Sequence, residues 1–177
     1  MWGPKLSQEE KEALKRENSL QIFRCHPDAK LPTRATKESA GIDIYALEET
    51  RLDAFWEPTL VRTGLIIRPP GGFYTELVLR SNLAMKGVIL ANSIGIIDRD
   101  YAGPKDELKV MLRWLPRCYL NKGGQIEIPS SSHDNFKIQA GHRIAQLLIR
   151  KTESIPILEV DSPPLKESRH GFGSTGV

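Results

Sequence analysis

The sequence predicts an all-β domain. Short runs rich in Val, Ile, Leu, Phe and Tyr recur along most of the chain, and Gly, Pro, Ser and Asn punctuate them at close intervals. Brief strand patterns between frequent turn signals read as a sandwich or barrel. Only one stretch, near the start, has the composition and cap of a helix longer than a turn or so. The 177 residues suffice for one domain with a proper core and are few for two, and the 40% hydrophobic content fits a soluble globular protein.

Ser7 followed by Glu10 is a capping-box pattern, and Gln8 to Glu17 is rich in helix formers, so a helix is expected there. Its apolar face is thin (Ala13, Leu14), which marks it as a peripheral extension. Leu20 to Cys25 reads as the first strand, and Pro27 and Pro32 restrict the backbone beside them. Gly41 to Ala46 alternates weakly. Leu60 to Arg68 reads as a strand, Pro69-Pro70-Gly71-Gly72 as a turn, and Phe73 to Leu79 as the next strand. Ser81 to Lys86 fits a single helical turn. Ile94, Ile96 and Ile97 suit a strand, followed by an Asp98-Arg99-Asp100 turn in a hairpin that ends at Ala102-Gly103-Pro104. Lys109 to Leu115, Gln125 to Ile128 and Ile155 to Val160 are further strands. His142 to Lys151 fits helix or strand by periodicity, and its Ile and Leu content favours strand. Asn121 to Asn135 is otherwise a polar surface excursion.

No apolar run approaches the roughly 20 residues that cross a membrane, and the start of the chain lacks a signal-peptide apolar core. Cys25 and Cys118 are two and far apart, which disfavours a disulfide framework and fits a reducing compartment. A cytoplasmic location is expected. No Cys/His cluster has zinc spacing. The net charge of +3 comes without a dense basic stripe, so neither nucleic acid nor a membrane surface is an expected partner.

Several segments carry chemistry. Arg80-Ser81 follows a strand and opens a helical turn, where backbone amides and a planar guanidinium favour an anion. The structural alternative is an N-cap Ser beside a solvated Arg. Gln146 lies in a near-apolar strand and needs a partner or a ligand. Asp43 sits in A-G-I-D-I-Y-A, either as a carboxylate paired with an Arg or near a hydrated divalent cation. One Asp is too little for a metal cage, so Mg²⁺ carried by a substrate's phosphates fits better. Gly95 within a strand marks a bulge or a close approach by ligand or backbone. Asp98 is placed to activate water for attack on phosphorus, and Tyr101 to stack on a sugar. The tail S-R-H-G-F-G-S-T-G-V reads as a phosphate-wrapping arm or as a frayed end.

In order, A-G-I-D-I-Y-A, L-R-S-N-L-A, N-S-I-G-I-I-D-R-D-Y-A-G, G-H-R-I-A-Q-L-L and G-F-G-S-T-G resemble the five ordered motifs of the trimeric dUTPase (dUTP diphosphatase) family, from about His26 to the C-terminus. The resemblance implies a distorted jelly-roll β-barrel assembled as a homotrimer, with active sites at subunit interfaces. It divides the chain into a helical extension (1–19), the barrel (20–165) and an arm (166–177) that closes a neighbour's site. The implied reaction is Mg²⁺-assisted hydrolysis of dUTP to dUMP and pyrophosphate, limiting dUTP for DNA synthesis and supplying dUMP for dTMP synthesis. By the same resemblance Asp98 positions the attacking water and contacts the sugar, and Tyr101 packs on the deoxyribose. Asn92, Gly95, Ile96 and Ile97 lie at the uracil, and Lys109 lines the nucleotide pocket. Arg80, Ser81, the Asn82 amide and Gln146 meet phosphate, and Asp43 lies near the metal's water shell. Phe172 and Gly173 cover the base, and Ser174 and Thr175 contact the γ-phosphate.

The chain departs from the family pattern in places. Asn82 stands where a Gly is usual and His142 where an Asp is frequent. Glu167 stands where an Arg is common, which leaves Arg169 or Lys166 to make that contact. His170 replaces a Gly, and Gly103 to Asp106 adds residues after the hairpin. A dCTP deaminase would share the R-S-x-L-A stretch but not D-R-D-Y. A binding module derived from the family would be expected to lack Asp98, Arg80 or Gln146, and all are present.

Overall fold

The computed structural model describes residues 7–53, 57–116, 119–120, 123, 126–127 and 135–164. Helix α1 spans Gln8–Glu17, the predicted range, and its start is fixed by the predicted capping box. The Glu10 amide donates to the Ser7 hydroxyl at 3.2 Å and the Ser7 amide to the Glu10 carboxylate at 2.7 Å. None of its side chains is buried, so it adds nothing to the core.

Strands β1 (Gln21–Arg24), β2 (Ile42–Tyr45), β3 (Thr50–Asp53), β4 (Thr59–Arg62), β5 (Leu65–Arg68) and β6 (Phe73–Leu79) precede a single-turn helix α2 (Ser81–Ala84). Then come β7 (Val88–Leu90), β8 (Gly95–Ile97), β9 (Lys109–Trp114), β10 (Tyr119–Leu120), β11 (Ile126–Glu127), β12 (Asn135–Ile138) and β13 (Arg143–Lys151). All named pairs are antiparallel. The largest sheet runs β2-β13-β6-β8, a second runs β4-β9-β7, and β1-β5, β12-β3 and β10-β11 form pairs. Alternate residues from both larger sheets and from two of the pairs meet in one core, with Ile44, Leu52, Val61, Ile67, Leu77, Val110, Ile138, Ile144 and Leu147 fully buried. This is the all-β arrangement that the punctuated strand pattern predicts, and it is jelly-roll-like, as the motif resemblance implies.

Four expectations are corrected. Leu60 to Arg68 is two strands, because Gly64 takes φ 69° and turns the chain so that β4 joins β9 while β5 joins β1. The Thr63 hydroxyl donates to the buried Leu108 carbonyl at 2.6 Å and fixes that corner. The Asp98–Asp100 turn does not return as a hairpin. Strand β8 pairs with β6, and after it the chain turns through Tyr101 amide to Asp98 carbonyl (3.3 Å) and Ala102 amide to Asp100 carbonyl (2.8 Å). Ile155 to Val160 forms no strand with any described residue. Pro156 has no N–H to give a ladder, and Ile155, Ile157, Leu158 and Val160 stand exposed. Finally, β3, β7, β10 and β12 were not expected. T-R-L-D and N-F-K-I are too short and polar to read as strands alone, and their mutual pairing, Leu52 opposite Phe136, makes them so.

Replacing Gly64 tests that corner. A Cβ there would lie 2.8 Å from the Ala29 Cβ, on a backbone at positive φ. Gly64→Ala is expected to destabilise by about 2–4 kcal/mol, combining left-handed strain with overpacking, read as a lower urea midpoint at unchanged slope.

Candidate active site

At one end of β6 the chain builds a buried charge cluster. Asp43 on β2 is 1% exposed. Its Oδ1 accepts from Gln146 Nε2 at 3.0 Å, and its Oδ2 meets Arg143 Nη1 at 3.3 Å and Arg80 Nη1 at 3.4 Å. Register explains the meeting: Gln146 on β13 lies opposite Asp43 on one side and Val78 on the other, and Arg80 leaves β6 just beyond. Gly41 makes the space, since a Cβ there would sit 2.9 Å from the Gln146 side-chain carbon. Arg80, not Ser81, is the N-cap of α2, and its side chain is 20% exposed, so the solvated-Arg alternative does not hold. Ser81 and Asn82 are exposed, and their amides have no intrahelical acceptor, as at any helix start.

At the other end lies an open cavity of about 300 Å³, lined by Leu60, Ile96, Ile97, Tyr101, Leu108 and Lys109. That size is at the lower bound for small-molecule sites. Ile96 and Tyr101 are 56% and 45% exposed, so their apolar surfaces are available to a ligand. The Tyr101 hydroxyl reaches the Glu107 carbonyl at 3.4 Å. Glu107 is itself pinned: its carboxylate accepts both from Arg62 Nε (3.1 and 3.2 Å) and from the Gly64 amide (2.9 Å), and it holds the Arg62 guanidinium more firmly charged than usual. Strand β8 is the edge of its sheet, so one side of Gly95–Ile97 has no strand partner among the described residues. Asp98 follows directly, exposed, and its carboxylate joins no ion pair or side-chain hydrogen bond among the described residues.

Gly95 is the close approach its position in a strand implies, to protein and not to ligand: a Cβ would meet Leu77 Cβ at 3.0 Å. Asn92 lies in the tight turn before it, where Ser93 takes φ 62° and the Ile94 amide donates to the Asn92 carbonyl at 2.7 Å.

The sequence-predicted residues thus form two groups, and one chain does not bring them together. Thr75 faces Ile97, so Asp98 is level with Tyr74; Arg80 lies six residues along β6, about 20 Å away at strand rise. Arg169, Phe172, Gly173, Ser174 and Thr175 lie outside the described residues. Leu60, Leu108 and Glu107 belong to the site and were not read from the sequence. Nothing local marks Leu60, which reaches the cavity only because β4 pairs with β9. Glu107 left one usable sign, an acid just before a strand.

No group of three or more His, Cys, Asp or Glu side chains placed to hold a metal occurs among the described residues. Both Asp43 oxygens already have protein donors, which suits the alternative of a carboxylate paired with Arg. These residues do not fit a protein-built metal cage.

The dUTPase family profile matches residues 27–176. The chain belongs to the dUTPase family. The deoxyuridine 5'-triphosphate nucleotidohydrolase of Rickettsia typhi is 39% identical over 152 residues, covering 83% of this chain and 88% of that protein. That of Debaryomyces hansenii is 36% identical over 163 residues, with 90% and 89% covered. Among solved structures, the Staphylococcus bacteriophage 80alpha dUTPase with dUPNHPP superposes with TM-score 0.72 at 25% identity, covering 90% of this chain and 99% of that one. A mutant dUTPase from phage phi11 of S. aureus, in which a structural Mg(II) ion is coordinated, gives TM-score 0.66 at 23% identity, covering 84% of this chain and 100% of that one. The resemblance carried by the motifs is therefore a family relationship. The profile begins after α1 and β1 and runs through the arm.

The Asp43 cluster is testable by removing its charge. Asp43→Asn leaves Arg80 and Arg143 facing a neutral amide beside a buried strand. It is expected to cost about 2–3 kcal/mol, at the lower side of a broken buried pair because Arg143 is half exposed, measured by chemical denaturation.

Proposed function

We propose that the chain hydrolyses dUTP to dUMP and pyrophosphate, as a hydrolase acting on an acid anhydride, and that each active site is shared between copies of the chain. The observation that carries this is the cavity walled by Ile96, Ile97 and Tyr101, with the uncommitted Asp98 carboxylate directly beyond Ile97. Family membership and the named nucleotidohydrolases support the same reaction.

In this reading the apolar walls take the nucleoside. The β8 edge offers backbone donors and acceptors to the pyrimidine, and the Tyr101 ring covers the deoxyribose where a 2′-hydroxyl would crowd it. Asp98 accepts a proton from a water molecule as its oxygen bonds to the α-phosphorus. The bond from the α-phosphorus to the oxygen bridging it to the β-phosphorus breaks, and pyrophosphate leaves with that oxygen and the electron pair. Lys109 lines the pocket, and Asn92 stands near the base side of β8.

Phosphate contacts fall to Arg80, Ser81, the Asn82 amide and Gln146. Asp43 acts first as the anchor that orients Arg80 and Gln146, because its own oxygens are occupied. The roughly 20 Å that strand rise puts between the positions of Asp98 and Arg80 exceeds what one nucleotide's α-phosphate and sugar span, so Arg80 and Gln146 serve the Asp98 of a neighbouring copy. A homotrimer with its sites at the interfaces satisfies this geometry, with residues 166–177, including Arg169, Phe172, Gly173, Ser174 and Thr175, closing the site of a neighbour. Mg²⁺ would be held mainly by the nucleotide's phosphates, with Asp43 near its water shell, and would offset their charge. No described helix is long and apolar enough to cross a membrane.

Pyrophosphate release measured in parallel on dUTP, dCTP, dTTP and UTP, with Mg²⁺ and with chelator, tests the reaction. Release from dUTP alone, lowered by chelator, is expected. Ammonia from dCTP without pyrophosphate would replace this reading with a deaminase. Asp98→Asn is expected to lower kcat at least about 100-fold in a folded assembly, because Asn cannot accept the proton.

Site sharing has a separate test. Asp98→Asn and Arg80→Ala chains, each inactive alone, are unfolded, mixed in equal amounts and refolded together. Sites that draw the two residues from adjacent copies are expected to return about a quarter of wild-type activity by random assembly. No recovery would mean that each chain builds its own site.

A further inference from the structure

The reading of Asp98 leaves a difficulty in the sequence D-R-D. Arg99 stands between Asp98 and Asp100, and its guanidinium is permanently charged. A fork of that kind, free to turn, would bind either carboxylate and occupy the lone pairs a catalytic base needs. The structure shows where it goes instead. Arg99 Nη2 pairs with the carboxylate of Glu17, the last residue of α1. The remainder of the guanidinium gains little else: Nε is buried with no hydrogen-bond partner. Neither Asp98 nor Asp100 makes an ion pair among the described residues.

Glu17 is not at the end of a free-swinging helix. Its carbonyl accepts from the Gly71 amide at 3.2 Å, and the Arg16 carbonyl accepts from Gln21 Nε2 at 2.9 Å. Its carboxylate also lies 3.9 Å from Arg68 Nη1. Gly71 leaves room for it, since a Cβ there would meet Glu17 Oε1 at 3.0 Å. The helix buries no side chain, and the family profile starts only at residue 27. Its end is thus tied to the β5–β6 turn and reaches the loop that carries Asp98, without serving the core.

We infer that Glu17 is a positioning residue for hydrolysis: it sequesters the Arg99 guanidinium and so keeps the Asp98 carboxylate open to water. The N-terminal extension is then part of the catalytic apparatus of this chain, acting through Arg99 and not by touching substrate. Removing Glu17 leaves a partly buried cation without its acceptor, and the adjacent carboxylates are its nearest replacements. The inference rests on the assignment of Asp98 made above.

The test is a double-mutant cycle on the full-length protein, read as kcat at saturating dUTP, with circular dichroism and assembly state checked for each variant. Glu17→Gln is expected to lower kcat roughly tenfold, a part of what a general base contributes. Arg99→Ala is expected to stay within about threefold of wild type, and Glu17→Gln with Arg99→Ala to match Arg99→Ala, so the two changes are strongly non-additive. That recovery separates sequestration from simple docking of the helix, which deleting Arg99 would not repair. Unchanged kcat in Glu17→Gln, or a loss that Arg99→Ala fails to restore, overturns the inference. Asp98→Asn run alongside distinguishes the failures: if it turns over normally, the Asp98 assignment falls and this inference with it, whereas an inactive Asp98→Asn beside an unaffected Glu17→Gln overturns the Glu17 role alone. If Glu17→Gln does not fold, the comparison is made with Glu17→Asp, whose shorter carboxylate is expected to give an intermediate kcat that Arg99→Ala again restores.

Discussion

The seven residues of β6 pair with β13 on one side, and Thr75 to Leu77 pair with β8 on the other; this register decides what each end of the sheet can hold. Leu77 sits between Leu147 and Gly95, fully in the core, and the strand runs outward from it in both directions. Toward its C-terminal end it delivers Arg80 beside Asp43 and Gln146. Toward its N-terminal end it lies against the stretch that becomes Asp98 and Tyr101. A shift by one residue would turn every side chain to the other face and would separate Gln146 from Asp43. The close approach of Gly95 to Leu77 helps hold the register, since a larger residue there would push β8 away. The two functional groups are rigidly spaced for the same reason that they are well placed.

Each group is built round a carboxylate whose oxygens are taken up by protein donors. Asp43 is buried where an unpaired charge would be costly, and two guanidiniums and an amide converge on it. That convergence fixes the direction in which Arg80 and Gln146 leave the sheet. Glu107 plays the corresponding part at the cavity. It ties Arg62 and the Gly64 corner to the start of β9, and its carbonyl accepts from the Tyr101 hydroxyl. The contrast with Asp98 is informative. Asp98, like Asp100, is left exposed and without an ion pair among the described residues, which is the state the proposed proton acceptor requires.

Much of this was legible in the sequence where the signal is local. The capping box gave α1 to the residue, and the strands β6, β9 and β13 were plain from apolar content. The motif order pointed to Asp98, Tyr101, Arg80 and Gln146 before any geometry was known. What escaped reading depends on partners distant in the chain. Strands β3 and β12 are strands because they pair with each other across more than eighty residues. Leu60 lines the cavity because of β9, and the break at Gly64 is visible only once Ala29 and Glu107 are seen to pack around it. Asp43 was read in two ways, and burial, which no single sequence displays, favours the paired carboxylate.

The tail after β13 bears on how copies of the chain meet. Strand β13 ends with Lys151 opposite Phe73, at the Asp98 end of the sheet, and the Thr152 amide donates to the Gly72 carbonyl at 2.9 Å. From there every described residue to Ser162 and on through Pro164 is exposed, including four large apolar ones between Ile155 and Val160. A segment that lay back on its own barrel would bury some of them. Thirteen residues in extended form reach up to about 45 Å, farther than the length of β6 that separates the two halves of the site. An apolar stretch held away from its own core gains burial only against another surface. In the proposed assembly, the chain that takes a neighbour's Arg80 also carries, after β13, an exposed segment long enough to reach one. The proposed site sharing and arm exchange would both follow from one constraint, a sheet too long for a single nucleotide to span.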